Sequence, residues 1–148
     1  MIVGRETLFD VADEIDALLL EHYEELTHQK LKIKLKPMWG KYAELERAGK
    51  LFIFTAREAH KLVGYSAFFL APHPHYEDTL VAQNDVLFLT KTARLGMSGV
   101  RLIKFSEESM RAAGAHKITW HVKFTNDFRP ILHRLGYLDE EVMCGKMF

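Results

Sequence analysis

The run Arg94-Leu95-Gly96-Met97-Ser98-Gly99 is preceded by the apolar Val86-Leu87-Phe88-Leu89 and followed by a periodic segment from Val100 to Ala113. That order predicts strand, glycine-containing turn and helix. Leu102, Ile103, Ser106, Met110 and Ala113 recur on one face of the helical part, and Arg101, Lys104, Glu108 and Arg111 on the other. One stripe can therefore be buried while the other is solvated. Gly114 is placed to stop the helix in a left-handed conformation. A turn of this kind gathers main-chain N–H groups at the positive end of a helix, and Arg94 adds a full charge beside them, which suits an anionic diphosphate. The same pattern also fits an ordinary connection between a strand and a helix.

Working outward towards the N-terminus, Thr79 to Leu89 reads as a long strand leading into the turn. Leu51 to Ala56 and Leu62 to Leu70 read as two further strands joined by Arg57 to Lys61 in a hairpin. Thr7 followed by Asp10 resembles a helix-capping start, and Leu8, Val11, Ala12, Ile15, Leu18, Leu19 and Leu26 keep helical spacing to about Thr27. Eight acidic residues and no Lys or Arg lie between Glu6 and Glu25. They either draw an amine-bearing partner or form a solvated face. Lys30 to Lys36 alternates lysine with an apolar residue, the pattern of an extended segment buried on one side; its lysines either bind something acidic or guard a solvated edge. Pro37 can open a second helix through Trp39, Tyr42 and Leu45 to Gly49. Beyond the central helix, Lys117 to Phe124 predicts a strand, Pro130 to Leu135 a short helix, and Glu141 to Phe148 a last strand.

The chain has 148 residues, enough for one domain with a proper core spanning 1–148. Lys plus Arg and Asp plus Glu number 20 each, so the formal net charge is zero and no global field favours nucleic acid or an anionic membrane. Apolar runs fall short of the ~20 residues that span a bilayer. The first residues, Met1 to Glu6, lack a signal-peptide layout, and a single cysteine, Cys144, rules out an internal disulfide framework; a cytoplasmic location is expected. His73-Pro74-His75 offers too few ligands at recognised spacing for a metal, and none is expected.

Arg94-x-x-x-x-Gly99, with Leu102-Ile103 after it and Leu89 five residues before, resembles the acetyl-CoA pyrophosphate motif of the GNAT superfamily of N-acetyltransferases. The usual form is Gln/Arg-x-x-Gly-x-Gly/Ala; here Met97 holds the fourth position and the glycine comes one place earlier, at Gly96. Val63-Gly64-Tyr65 resembles the family's Val-Gly hairpin strand, and Leu132 to Tyr137 its closing Leu-Tyr-x-x-x-Gly-Phe segment. The whole run, with His73 to Tyr76, Asp85 and the Leu135-Gly136-Tyr137 ending, is similar to small GNAT proteins encoded by bacteriophages. The resemblance implies an α/β (α+β) GNAT fold: a mixed, mostly antiparallel sheet of six to seven strands with about four helices.

It further implies acetyl-CoA as co-substrate, held by Phe88, Leu89, Thr90, Arg94, Leu95, Gly96, Met97, Ser98, Gly99 and Asn126, with the Leu89 amide facing the thioester carbonyl. An amine on a small molecule or a protein would be the acceptor, attacking directly in a ternary complex. The tyrosine that many members carry four residues before the closing glycine is Leu132 here. From the residues themselves, Asp85 is the first candidate base, sharing a strand face with Val81, Gln83, Leu87 and Leu89, where burial would raise its pKa. A structural carboxylate satisfied by the helices, His75 or Tyr76 is the alternative. His121 is the second candidate, because alternation lets Trp120 enter the core while His121 faces a cleft. His75 and Tyr76 are expected to contact the acceptor. Two other functions stay open: a GNAT-like binding module acting through a protein partner, and a structural homodimer with no cofactor.

Overall fold

The computed structural model describes residues 1–26 and 33–148 of the chain. Five strands form one sheet in the order β1 (Ile2–Glu6), β2 (Leu51–Glu58), β3 (Lys61–His73), β4 (Tyr76–Leu89) and β5 (Lys117–Thr119). Neighbours are antiparallel except β4 and β5, which run parallel. The parallel step is made through α3 (Ser98–Ala112), whereas α1 (Leu8–Leu26) and α2 (Trp39–Arg47) separate β1 from β2, and α4 (Arg129–Arg134) follows β5.

The sheet is buried on both faces, which is why Leu51 to Ala56 is apolar almost without alternation. One face, with Phe54, Phe68, Leu70 and Ala82, packs under Leu102 and Met110 of α3 and against Trp120. The other, with Leu51, Ile53, Tyr65, Ala67 and Phe88, packs against Leu8, Val11 and Ile15 of α1 and against Trp39 and Tyr42 of α2. Full burial of a side chain such as Phe54 or Phe68 contributes ~1.5–3 kcal/mol. The apolar stripe of the central segment thus enters the core as its spacing predicts. Ser106 in that stripe has its hydroxyl 2.8 Å from that of Ser66 on β3 and donates to the Leu102 carbonyl. Gly114, at φ +96°, ends α3, with its N–H on Arg111 O and the next N–H on Met110 O. Thr7 caps α1 as expected: it accepts from the Asp10 N–H at 3.3 Å and donates to the Asp10 carboxylate at 2.6 Å.

The sheet differs from the expected six to seven strands: five are present among the described residues. β1 is an addition, and its reason is non-local. Ile2 to Glu6 pairs with Arg57 to Ile53, Arg5 lies 4.2 Å over the Phe52 ring, and Glu6 binds Arg57. At the other end β5 stops at Thr119, and residues 138–148 hold no regular structure. Of the Lys30–Lys36 alternation, only Ile33 onward is described; it lies outside the sheet, with Ile33 and Leu35 exposed. Thr27 and residues 28–32, where α1 was expected to end and the alternation to begin, lie outside the described residues.

The β2–β3 connection is the two-residue loop Ala59-His60, both at positive φ (46° and 70°). Tight hairpins require this geometry, but it costs ordinary L-residues ~1–2 kcal/mol each. The double substitution Ala59→Asn with His60→Gly is expected to raise the melting temperature by about 2–4 °C, checked by calorimetry. Next to the loop, Arg57 forms a bidentate pair with Glu6 (2.7 and 2.9 Å) and a second with Glu14 of α1 (2.7 and 3.0 Å). The guanidinium hydrogen bonds hold both carboxyls below the ordinary value of 4.5, against an opposing effect of burial. Depressed carboxylates stabilise the fold fully above their unfolded pKa and lose that contribution as pH falls through the folded one. The native chain is therefore expected to lose melting temperature below pH ~4.5 more steeply than Arg57→Met, in a pH series of melts.

Candidate active site

At the C-terminal end of β4 the sheet opens. β4 and β5 pair only through Val81–Lys117, Ala82–Ile118 and Gln83–Thr119, so β4 continues six residues further, to Leu89, without a strand neighbour on that side among the described residues. On the opposite side β3 pairs to the end. Thr90 N–H donates to Val63 O at 2.9 Å, which makes that pair hydrogen-bonded. The preceding pair, Gly64 with Leu89, must then direct its main-chain groups outward. The Leu89 amide therefore faces the side from which β5 has diverged.

The Leu89 side chain is held on the α3 face by two glycines. A Cβ on Gly64 would stand 2.8 Å from Leu89 Cγ and Cδ2 and from Phe88 O, so only glycine allows this approach; a Cβ on Gly99 would meet Leu89 Cδ1 at an ordinary 3.6 Å. After Leu89 the chain makes a 3-10 turn (Thr92–Arg94) and reaches α3 through Gly96, whose φ is +78°. Glycine takes that left-handed conformation without the strain an L side chain would meet. Met97 at the N-cap makes no side-chain cap, so the first-turn N–H groups of α3 are available to an anion. Leu95 and Met97 are exposed beside them. Arg94 does not simply point into the cradle: its Nε donates to Leu89 O at 2.8 Å, and its guanidinium carbon is 5.7 Å from the Phe88 ring centre. The arginine thus ties the helix start to the strand end.

On the α1/α2 face the same stretch of β4 carries a polar cluster. Ala67 pairs with Val86 and Phe68 with Asn84, so Asp85 is an extra residue in β4, a bulge. Its carboxylate accepts from the Tyr42 hydroxyl of α2 at 2.7 Å. Burial and this hydrogen bond push the Tyr42 phenol well above its ordinary value, and burial with the charge of Asp85 does the same to Tyr65. The Tyr65 hydroxyl lies 3.0 Å from His22 Nδ1 of α1, and the His22 ring stacks on Phe88 at 5.0 Å. Two phenols, a carboxylate and an imidazole thus converge beside the open end of the sheet.

Asp85 is exposed, not buried; the bulge interrupts the alternation that would have placed it among apolar neighbours. His121 lies past the end of β5, where Gln83 Nε2 contacts its Nε2 at 3.2 Å. Gln83 pairs with Phe69, which stacks on Tyr42 at 6.0 Å, so both candidate bases border the α2 side. Trp120 packs on the other face at 4.9 Å from Phe68, the alternation expected of neighbouring residues. Asn126 sits half-buried in a separate 3-10 turn (Phe124–Asn126), its carboxamide making no hydrogen bond among the described residues.

His75 and Tyr76 are not brought to the site. β4 begins at Tyr76, so nine residues at ~3.3 Å each, about 30 Å, separate that hairpin from Asp85. There His73, His75 and Tyr76 cluster with one another, with ring centres 4.8–6.3 Å apart. Leu132, at the place of the usual tyrosine, is buried. His22, Tyr42 and Tyr65 escape sequence reading, because the hydrogen-bonded pairs, His22 with Tyr65 and Tyr42 with Asp85, are each 43 positions apart. The one local signal is His22, an imidazole in a helix of otherwise acidic and apolar residues.

No family model matches the chain, and no curated protein matches it. Solved structures do. A ribosomal-protein-alanine N-acetyltransferase of Brucella melitensis biovar Abortus 2308 superposes with a TM-score of 0.73 at 16% identity over 100% of both chains. An aminoglycoside acetyltransferase from an uncultured soil metagenomic sample, in complex with sisomicin, gives 0.74 at 14% identity, over 99% of this chain and 95% of that one. A predicted acetyltransferase of Clostridium acetobutylicum with acetyl-CoA gives 0.73 at 11% identity, again over 99% and 95%. The fold shared with these proteins is the mixed α+β fold of the GNAT acetyltransferases.

Proposed function

We propose that the chain is an acetyl-CoA-dependent N-acetyltransferase acting on a primary amine of a small molecule or protein. The observation that carries this reading is the coincidence, at one end of β4, of an outward-facing Leu89 amide and the uncapped start of α3. The first-turn amides would hold the diphosphate, with Arg94, Leu95, Gly96, Met97, Ser98 and Gly99 as its cradle and Phe88 to Thr90 along the arm. The Leu89 N–H would stabilise the oxyanion that forms as the amine attacks the thioester carbonyl. An alkylamine is cationic at neutral pH and must lose a proton before it attacks; Asp85, directly or through water, is the proposed acceptor of that proton, with His121 the second candidate. The C–N bond would form first, giving a tetrahedral oxyanion; its collapse would restore the carbonyl, break the C–S bond and release the thiolate. The Tyr42 hydroxyl hydrogen-bonds Asp85 and would orient its carboxylate.

A second reading rests on buried Leu132: without a phenol there, the fold could serve as a binding module acting through a protein partner. Steady release of free thiol from acetyl-CoA in the presence of a panel of amines tests the enzyme. Turnover with any amine supports it. Tight CoA binding without turnover across the panel would favour the binding module.

A further inference from the structure

We infer that Asn84 is a positioning residue: its carboxamide clamps the bulge in β4 and so fixes where Asp85 points. This rests on the proposed acetyl transfer only in giving Asp85 a task. Asn84 is fully buried on the α3 face, paired with Phe68 across the strands. Its Nδ2 donates to two main-chain carbonyls, Val86 O at 2.8 Å and Ala67 O at 3.2 Å. Those two residues are themselves a cross-strand pair, on the far side of Asp85 from Asn84. The carboxamide therefore spans the extra residue, anchoring β4 to itself and to β3 around it.

Few side chains can do this. An aspartate has no donor when ionised, a leucine of similar size has none at all, and a serine has only one hydrogen to share between two carbonyls. Packing does not account for an asparagine here, because its Oδ1 is buried and has no hydrogen-bond partner among the described residues, which disfavours the residue relative to an apolar one. The two donated hydrogen bonds account for its presence. Asp85, held between the clamp and the register of the next pairs, meets the Tyr42 hydroxyl. The groups facing that contact are Tyr42 of α2 and Tyr65 of β3, with His22 of α1 on Tyr65.

The test compares native protein, Asn84→Leu, Asn84→Ser and Asp85→Asn. In each, the Tyr42 ring signals are followed at neutral pH by NMR of ring-labelled tyrosine, a readout of the contact with Asp85 that needs no turnover. If Asn84 positions Asp85, Asn84→Leu moves the Tyr42 signals from their native positions in the same direction as Asp85→Asn, and Asn84→Ser, with one donor, falls between. Where turnover is measured, Asn84→Leu is expected to lower kcat about 10-fold with acetyl-CoA affinity unchanged, and to have no further effect in the Asp85→Asn background. A folded Asn84→Leu or Asn84→Ser protein whose Tyr42 signals stay at their native positions, while Asp85→Asn moves them, would overturn the inference. So would full multiplication of the two kcat losses. Absence of turnover in the native protein would count against the acetyltransferase reading alone, since the Tyr42 signals still decide the role of Asn84.

Discussion

Asp85→Asn is expected to lower the rate of acetyl transfer about 100-fold or more while leaving acetyl-CoA affinity within a factor of about two. Asparagine keeps the size of the bulge residue and can still accept from the Tyr42 hydroxyl, so the fold has little reason to change. What it loses is the charge that can take a proton from an ammonium group. His121→Ala should cost far less, because His121 stands past the end of β5 with Gln83 as its contact. Steady-state kinetics of both variants, with calorimetric titration of acetyl-CoA, separates the two roles. A large loss in His121→Ala with little in Asp85→Asn would transfer the base to the histidine.

Gly64→Ala is expected to damage both stability and cofactor affinity. The added methyl would lie 2.8 Å from Leu89 Cγ, Leu89 Cδ2 and the Phe88 carbonyl, and the last of these is main chain that cannot rotate away. Overpacking of this kind costs ~1–3 kcal/mol, or roughly 3–10 °C in melting temperature for a chain of this size. The relief available is for the end of β4 to move off β3. That displaces the Leu89 amide and, through the Arg94 hydrogen bond to Leu89 O, the start of α3. Acetyl-CoA affinity should therefore fall along with stability. The matching change at Gly99, with 3.6 Å to Leu89 Cδ1, should leave the melting temperature nearly unchanged. Calorimetric melts of the two variants check the contrast.

Elements whose causes are local were legible in the sequence. The capping pair Thr7 and Asp10, the stripe of α3, the stop at Gly114 and the hairpin around residues 57–61 each follow from residues within a few positions of one another. β1 did not, because Ile2 to Glu6 becomes a strand through Phe52, Arg57 and the open edge of β2. The short β5 and the lack of a strand in residues 138–148 also depart from their local pattern.

In the candidate site, the turn and helix start at Arg94 to Gly99 are legible because a glycine-containing turn before a helix has a local signature. The exposure of Asp85 is not, because strict alternation places it among apolar residues and a single extra residue breaks that alternation. The bulge leaves no mark in the sequence beyond Asn84 itself. His75 and Tyr76 were misplaced because β4 extends back to Tyr76, which puts their turn at the far end of a 14-residue strand. Tyr42 and Tyr65 are ordinary core aromatics by pattern. Only the packing of α2 against β3 and β4 brings their hydroxyls near a carboxylate.

Calorimetric titration of the native chain and of Arg94→Ala with acetyl-CoA and with CoA tests the central claim, that the end of β4 and the start of α3 form a cofactor site. Dissociation constants on the order of micromolar are expected for the native chain. Arg94→Ala is expected to weaken both about tenfold, through loss of a charge and of the hydrogen bond that ties α3 to Leu89. No heat of binding, together with no rise in melting temperature at ~1 mM ligand, would contradict it and leave the open end of the sheet without its proposed occupant.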